Sequence, residues 1–157
     1  RQITVAMRKL PERRREGAHL QRDMVRRVAA VTRAATQIRR RVPGAVAALR
    51  RQAEERLARL PYGGEVDPGR VAQEAAALAD RSDITEEMVR LESHLRALAA
   101  ALRRRGPVGK RIEFLLQEVH RELNTTGAKA GDLVIAELVL GAKGDVEKLR
   151  EQVQNVE

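Results

Sequence analysis

The chain contains no cysteine and no tryptophan, and its aromatic residues are a single tyrosine and a single phenylalanine, Tyr62 and Phe114. Without cysteine there can be neither a disulfide nor a thiolate metal site, and a disulfide-free chain agrees with a reducing compartment, so the expected location is cytoplasmic. The shortage of aromatics argues against sheets, which draw on aromatic and β-branched residues. No apolar run approaches the roughly 20 residues that span a bilayer, and the arginine-rich start lacks the apolar stretch and small-residue cleavage site of a secretory signal. Common enzyme signatures are missing too: there is no glycine-rich phosphate loop, Gly-x-Ser-x-Gly elbow, His-Glu-x-x-His pair or EF-hand loop. The sequence starts at Arg1 and not at a methionine, as expected of a fragment, a trimmed chain or one with further residues upstream.

What remains is aliphatic and charged. Of 157 residues, 43% are hydrophobic, chiefly Ala, Leu and Val, and 34% are charged, dominated by Arg and Glu. That mixture favours helices packed through aliphatic seams, and the expected fold is all-α. The net charge of +9 is local: residues 1–60 hold 17 Lys/Arg against 5 Asp/Glu, whereas 61–157 hold 14 against 17. A region so positive attracts polyanions through counterion release, with nucleic acid the commonest partner and an anionic membrane surface or acidic protein the alternatives. The same arginines could equally be the solvated face of a long helix.

Leu20, Met24, Val28, Val31, Ala35, Ile38, Val42, Val46, Leu49, Ala53, Leu57 and Leu60 recur at steps of three and four, one face of a long helix. Pro43-Gly44 interrupts that run and predicts a kink or a helical hairpin, because proline lacks the N–H and clashes with the preceding turn. The segment Leu60-Pro-Tyr-Gly-Gly-Glu-Val-Asp-Pro is a boundary, with Asp67 as N-cap and Pro68 in the first turn of a helix reaching about Asp80. Asp83-Ile-Thr-Glu86 has capping-box spacing, followed by a stripe of Met88, Leu91, Leu95, Leu98 and Leu102 and a stop near Arg105-Gly-Pro. A further helix from about Gly109 carries Ile112, Leu115, Leu116, Val119 and Leu123 inward and ends around Asn124-Thr-Thr-Gly127, where Asn and Gly tolerate left-handed angles. The last carries Leu138, Val146, Leu149, Val153 and Val156, with Gly131, Gly141 and Gly144 each weakening it by roughly 1 kcal/mol and a break expected near Gly141.

Residues 109–129 hold the densest set of reactive side chains. Glu118 and Glu122 lie one helical turn apart with Arg121 beside them and Lys110, Arg111 and Lys129 flanking. Two carboxylates can share Mg²⁺ or Mn²⁺ with water and phosphate oxygens, and such an ion activates a nucleophile or stabilises charge at phosphorus. Arg121 or Lys129 could also serve the second role. A Glu pair at this spacing is also ordinary on solvated helices. His94 and His120 fall on neighbouring helices and could act as acid or base in RNA cleavage, though a surface or helix-packing role is the commoner one for each, and His19 is a weaker candidate still. Phe114 could stack on a base, but its spacing beside Ile112 and Leu115 fits the core better.

Gly109-Lys-Arg, Phe114-Leu-Leu-Gln-Glu118, Arg121-Glu122, Asn124-Thr125 and Lys129 resemble the signature segment of the YicC/YloC family of bacterial endoribonucleases. Similar stretches are Ala79-Asp-Arg-Ser-Asp-Ile-Thr-Glu-Glu87 with Arg90-Leu-Glu-Ser-His94-Leu, the closing Glu147 to Glu157, and more loosely Arg15-Glu-Gly17 through Leu20 to Asp23. The resemblance implies the C-terminal half of a metal-assisted endonuclease acting on RNA, a ring-like homo-oligomer of hexameric size, with a further N-terminal domain that this chain lacks. It implies that His94, Glu118, Arg121 and Glu122 carry metal or acid-base roles. Departures are His120 where the family usually has asparagine, Ala128 where it has serine, and Gly141 and Gly144 in a helix that is otherwise glycine-poor.

The expected organisation is a long basic helical arm over 1–60, a linker over 61–66, and a bundle of about four helices over 67–157. The expected function is divalent-ion-dependent RNA cleavage, with Glu118 and Glu122 on Mn²⁺ or Mg²⁺, and Lys110, Arg111, Arg121 and Lys129 on phosphates. A non-catalytic RNA-binding or assembly module and a plain coiled-coil scaffold are the alternatives.

Overall fold

The computed structural model describes residues 2–59, 67–104 and 108–154, with side chains from Gly17 onward except that of residue 58. The expected linker over 61–66, together with Leu60, Tyr62 and Val156, lies outside them. The fold is all-α, with five helices and no strand among the described residues: α1 Gln2–Ala58, α2 Pro68–Arg81, α3 Thr85–Arg103, α4 Gly109–Lys129 and α5 Leu133–Gln154. No helix there is long and apolar enough to cross a membrane.

Met24, Val28, Val31, Ala35, Ile38 and Ala45 turn one α1 stripe into a wall of the core. Leu91, Leu95 and Leu98 of α3, Leu116, Val119 and Leu123 of α4, and Ile135, Val146 and Leu149 of α5 close it. Cross-links set the directions. Gln21 bonds to the Leu102 carbonyl and Arg39 pairs with Glu92, so α1 and α3 are antiparallel. Arg27 with Asp145, Gln152 with Asp23 and Arg41 with Asp132 make α1 antiparallel to α5. Helices α3 and α5 therefore flank α1 on two sides, α4 fills the fourth corner, and α2 packs on α1.

Pro43 does not turn the chain back: α1 runs on through Pro43 and Gly44 as one helix. Both residues are exposed, and Ala45 and Leu49 beyond them continue the packed face, so burial on either side outweighs the lost hydrogen bond. Asp67 caps α2 as expected, accepting from the Gly69 N–H at 2.9 Å with Pro68 in the first turn. The box expected at Asp83 does not form. Asp83 accepts from both the N–H and the hydroxyl of Thr85, an Asx turn, the helix begins at Thr85, and Glu86 turns instead to Arg90.

Helix α4 passes the expected stop at Asn124–Gly127 and ends at Lys129. Gly127 serves packing instead: a Cβ there would meet Val139 Cγ1 at 3.1 Å, so its bareness lets α4 approach α5. The left-handed residue is Gly131, at φ 57, where a Cβ would also press on Leu49 Cδ2 at 3.3 Å. Asp132 then caps α5, accepting from the Ile135 N–H at 3.0 Å. Helix α5 is unbroken at Gly141, because Gly141 and Gly144 both face open space while Val139, Ala142 and Val146 beside them are buried.

Candidate functional site

Helices α3 and α4 meet antiparallel through Leu91, Leu95, Leu98, Leu116, Val119 and Leu123, and the residues on the edge of that seam are charged. Periodicity alone aligns them. His94 lies four residues after Arg90, Glu118 lies four before Glu122, and the two helices run in opposite senses, so the pairs face each other. One ligand atom each from His94, Glu118 and Glu122 lie within 4.8 Å of one another. His94 Nε2 and Arg121 Nη1 are both 4.0 Å from Glu118 Oε2. Among the described residues the Glu118 carboxylate accepts no closer hydrogen bond, which leaves it available to a ligand.

Glu122 is 4% exposed, and burying a carboxylate requires a partner. Arg90 provides it, donating from Nε to Glu122 Oε1 at 3.0 Å while reaching Glu86 at 3.1 Å and Glu87 at 3.6 Å. The bond to Glu122, then that to Glu86, pushes the Arg90 guanidinium to still higher pKa, so it is a permanent cation. Arg90 thus compensates the Glu122 charge while one Glu122 carboxylate oxygen lies within the cluster.

The next turn down is a second buried carboxylate. Glu87 is 4% exposed. Burial works to raise its pKa, but the Lys129 ammonium at 2.7 Å, with Arg90 nearby, carries it below the ordinary glutamate value. Lys129 Nζ also lies 3.4 Å from the Asp83 carbonyl, so the lysine expected to meet phosphate is tied into the seam. Lys110 and Arg111, at the start of α4, are exposed and form no ion pair among the described residues. Arg121 is open to solvent, its side chain 75% exposed.

The arrangement thus brings together His94, Glu118, Glu122 and Arg121, sets Lys110 and Arg111 two turns or more away on α4, and commits Lys129 to Glu87. His120 stands apart, its Nδ1 3.2 Å from the Asn124 amide nitrogen, and His19 is exposed on α1. Arg90 and Glu87 are the residues that sequence reasoning did not single out. The signal was present in their spacing, since Glu86, Glu87, Arg90 and His94 share one face of α3.

Phe114 also differs from expectation. It is 57% exposed, one turn before Glu118 on α4, while Ile112, Leu115 and Leu116 take the buried positions.

The donor set can be tested against a divalent ion. Two carboxylates and an imidazole converge from two rigid helices, with Arg90 limiting the excess negative charge. A mixed nitrogen–oxygen set fits Mn²⁺ better than Mg²⁺, which prefers oxygen and water throughout.

Residues 38–157 match the family described as "Endoribonuclease YicC-like, C-terminal". Two curated proteins named "Probable endoribonuclease YicC" are similar. That of Clostridioides difficile is 47% identical over 92 residues, covering 59% of this chain and 31% of the relative. That of Haemophilus influenzae is 34% identical over 146 residues, covering 92% of this chain and 50% of the relative. The chain therefore spans between about a third and a half of the length of the curated relatives it matches.

Proposed function

The chain belongs to the YicC-like endoribonuclease family, and on that footing we propose that the edge of the α3–α4 seam is a divalent-ion-dependent centre for cleaving RNA phosphodiester bonds. The observation that carries this reading is the convergence of His94, Glu118 and Glu122 from two helices onto one point, with Arg121 exposed beside it.

Glu118, Glu122 and His94 would hold the ion, Mn²⁺ in preference to Mg²⁺. Bound there, it would act as a Lewis acid towards a phosphoryl oxygen and lower the pKa of a nearby water or hydroxyl. The chain's own residues do the rest. Arg90 fixes the orientation of Glu122 by holding Oε1. Arg121, with little to hold it, swings to a non-bridging phosphate oxygen as charge builds up. Lys110 and Arg111 contact phosphates further along the strand, and Lys129 contributes to the site's shape through Glu87. The attacking group is a water or the ribose 2′-hydroxyl, and in either case the P–O bond to the leaving nucleotide breaks as the new one forms.

RNA is the proposed partner and the cytoplasm the proposed compartment. A homo-oligomer, hexameric by family resemblance, is the proposed assembly, and Leu133, Val134 and Leu140, exposed on α5, support a surface between copies.

The experiment is cleavage of a labelled structured RNA with Mn²⁺, with Mg²⁺ and with chelator, beside Glu118→Gln and a sizing run. Mn²⁺-dependent cutting that the variant abolishes is the expected result. Salt-sensitive binding with no cutting in any buffer would make this part of the protein an RNA clamp and overturn the reading.

A further inference from the structure

Phe114 is the one aromatic side chain among the described residues, and it stands in solvent although buried positions lie on either side of it at Ile112 and Leu115. At 57% exposed, Phe114 contributes little to the core that α4 builds, and a polar residue there would be solvated at little cost. Its place on the helix is specific. Phe114 and Glu118 are four residues apart, on one face and about 6 Å along the axis. Lys110 lies one turn before Phe114 on the same face, with Arg111 beside it. Along exposed α4 the order is therefore two cations with no ion pair among the described residues, an aromatic ring, the carboxylate cluster with His94, and the exposed guanidinium of Arg121.

We propose that Phe114 is a stacking platform for an unpaired nucleobase next to the scissile phosphate, so that the site selects single-stranded or looped RNA over continuous duplex. The inference rests on the RNA-cleaving reading and specifies its substrate class. A base inside a duplex has both faces covered by its neighbours, so a ring on a helix surface can engage only a base that has left the stack. Stacking is indifferent to base identity, so the platform itself needs no base-edge hydrogen bonds. Lys110 and Arg111 take the phosphates on one side of the stacked nucleotide, and Arg121 takes one on the other. The strand is thereby laid along α4, with the phosphate next to Phe114 at Glu118.

Because the chain has no tryptophan, Phe114→Trp introduces a single reporter at the platform itself. In buffer with chelator, where nothing is cut, adding a single-stranded oligouridine should quench its emission, and a fully paired duplex of equal length should not. Labelled single strand should bind Phe114→Ala roughly 5- to 150-fold more weakly than wild type, with Phe114→Tyr close to wild type, because stacking needs a ring. Unchanged melting temperatures keep these effects apart from folding. Wild-type binding with no loss in Phe114→Ala and no quench in Phe114→Trp overturns this inference and leaves the cleavage reading standing. Tryptophan emission that shifts blue with protein concentration, without RNA, also overturns it and marks a contact between copies. If wild type binds no RNA at low salt, both fall together.

Discussion

Arg90 and Glu122 are joined by a 3.0 Å bond from Nε to Oε1, and the same guanidinium is shared with Glu86 and Glu87. Glu122 thus has a permanent cation on Oε1, and one of its carboxylate oxygens lies within 4.8 Å of ligand atoms of His94 and Glu118. Removing the cation leaves two buried carboxylates, Glu87 and Glu122, with less compensation, which costs more than removing one carboxylate with it.

Arg90→Gln should therefore lower the melting temperature more than Glu122→Gln does, and the double variant should recover part of the loss. Thermal unfolding of the three proteins at neutral pH forms the cycle. Equal and additive losses would mean that Arg90 and Glu122 are not coupled.

The metal cluster makes a prediction independent of RNA. A ligand that binds only the folded state at 100 times its Kd stabilises it by about 2.7 kcal/mol, so Mn²⁺ should raise the melting temperature measurably. Mg²⁺ should do less, and His94→Ala, which removes the nitrogen donor, should bring the Mn²⁺ response down towards that of Mg²⁺. A variant that responds to Mn²⁺ as wild type does would remove His94 from the donor set.

Asp23 sets an acid limb. The hydrogen bond from Gln152, then that from Arg27, lowers its pKa from 3.8 to about 2. The folded value lies below the unfolded one, so the contribution is fully present above about pH 4 and drains away as pH falls towards 2. Urea midpoints between pH 5 and 2 should fall for wild type, whereas Asp23→Asn, already less stable at neutral pH, should show a shallower decline.

Glycines on and before α5 separate by position. Gly141→Ala and Gly144→Ala meet open space and should each stabilise the helix by about 0.5–1 kcal/mol. Gly131→Ala, at φ 57 and against Leu49, should destabilise by about 1 kcal/mol or more. Melting temperatures report all three, and a loss at Gly141 or Gly144 would indicate a neighbour that only the assembled protein supplies.

Much of this molecule was legible in the order of its residues, and the failures have physical causes. Strong periodicity located four of the five helices, and Asp67-Pro68 marked the start of the other, α2, to within one residue because cap and proline act locally. Pro43 was ambiguous because its cost of a few kcal/mol is comparable to what the flanking turns gain by packing, and only the partner helices decide which wins. Asn124–Gly127 read as a stop because their conformational tolerance is intrinsic, whereas the close approach of Val139 that explains Gly127 comes from a distant part of the chain. In the site, Glu118, Glu122 and Arg121 were visible as a spacing on one helix. The roles of Arg90 and Glu87 depend on α3 running antiparallel to α4. Phe114 was misjudged because neighbours one and two residues away are buried, and a helix turns by 100° per residue, enough to carry a side chain from core to solvent.

The order in which these contacts become possible differs from their order of importance. Helices α3 and α4 are adjacent in sequence, so the hairpin that carries the carboxylate cluster can associate early, at small loop-closure cost. The frame around it is closed by α1 against α5, through pairs such as Asp23 with Gln152 that are 129 residues apart. During synthesis on the ribosome, α1 therefore emerges before any of its partners, and the part of its apolar stripe that faces α5 stays uncovered until α5 is made. The carboxylate cluster can be assembled from local chain in this fold, yet the frame that holds it rigid closes only when α5 reaches α1.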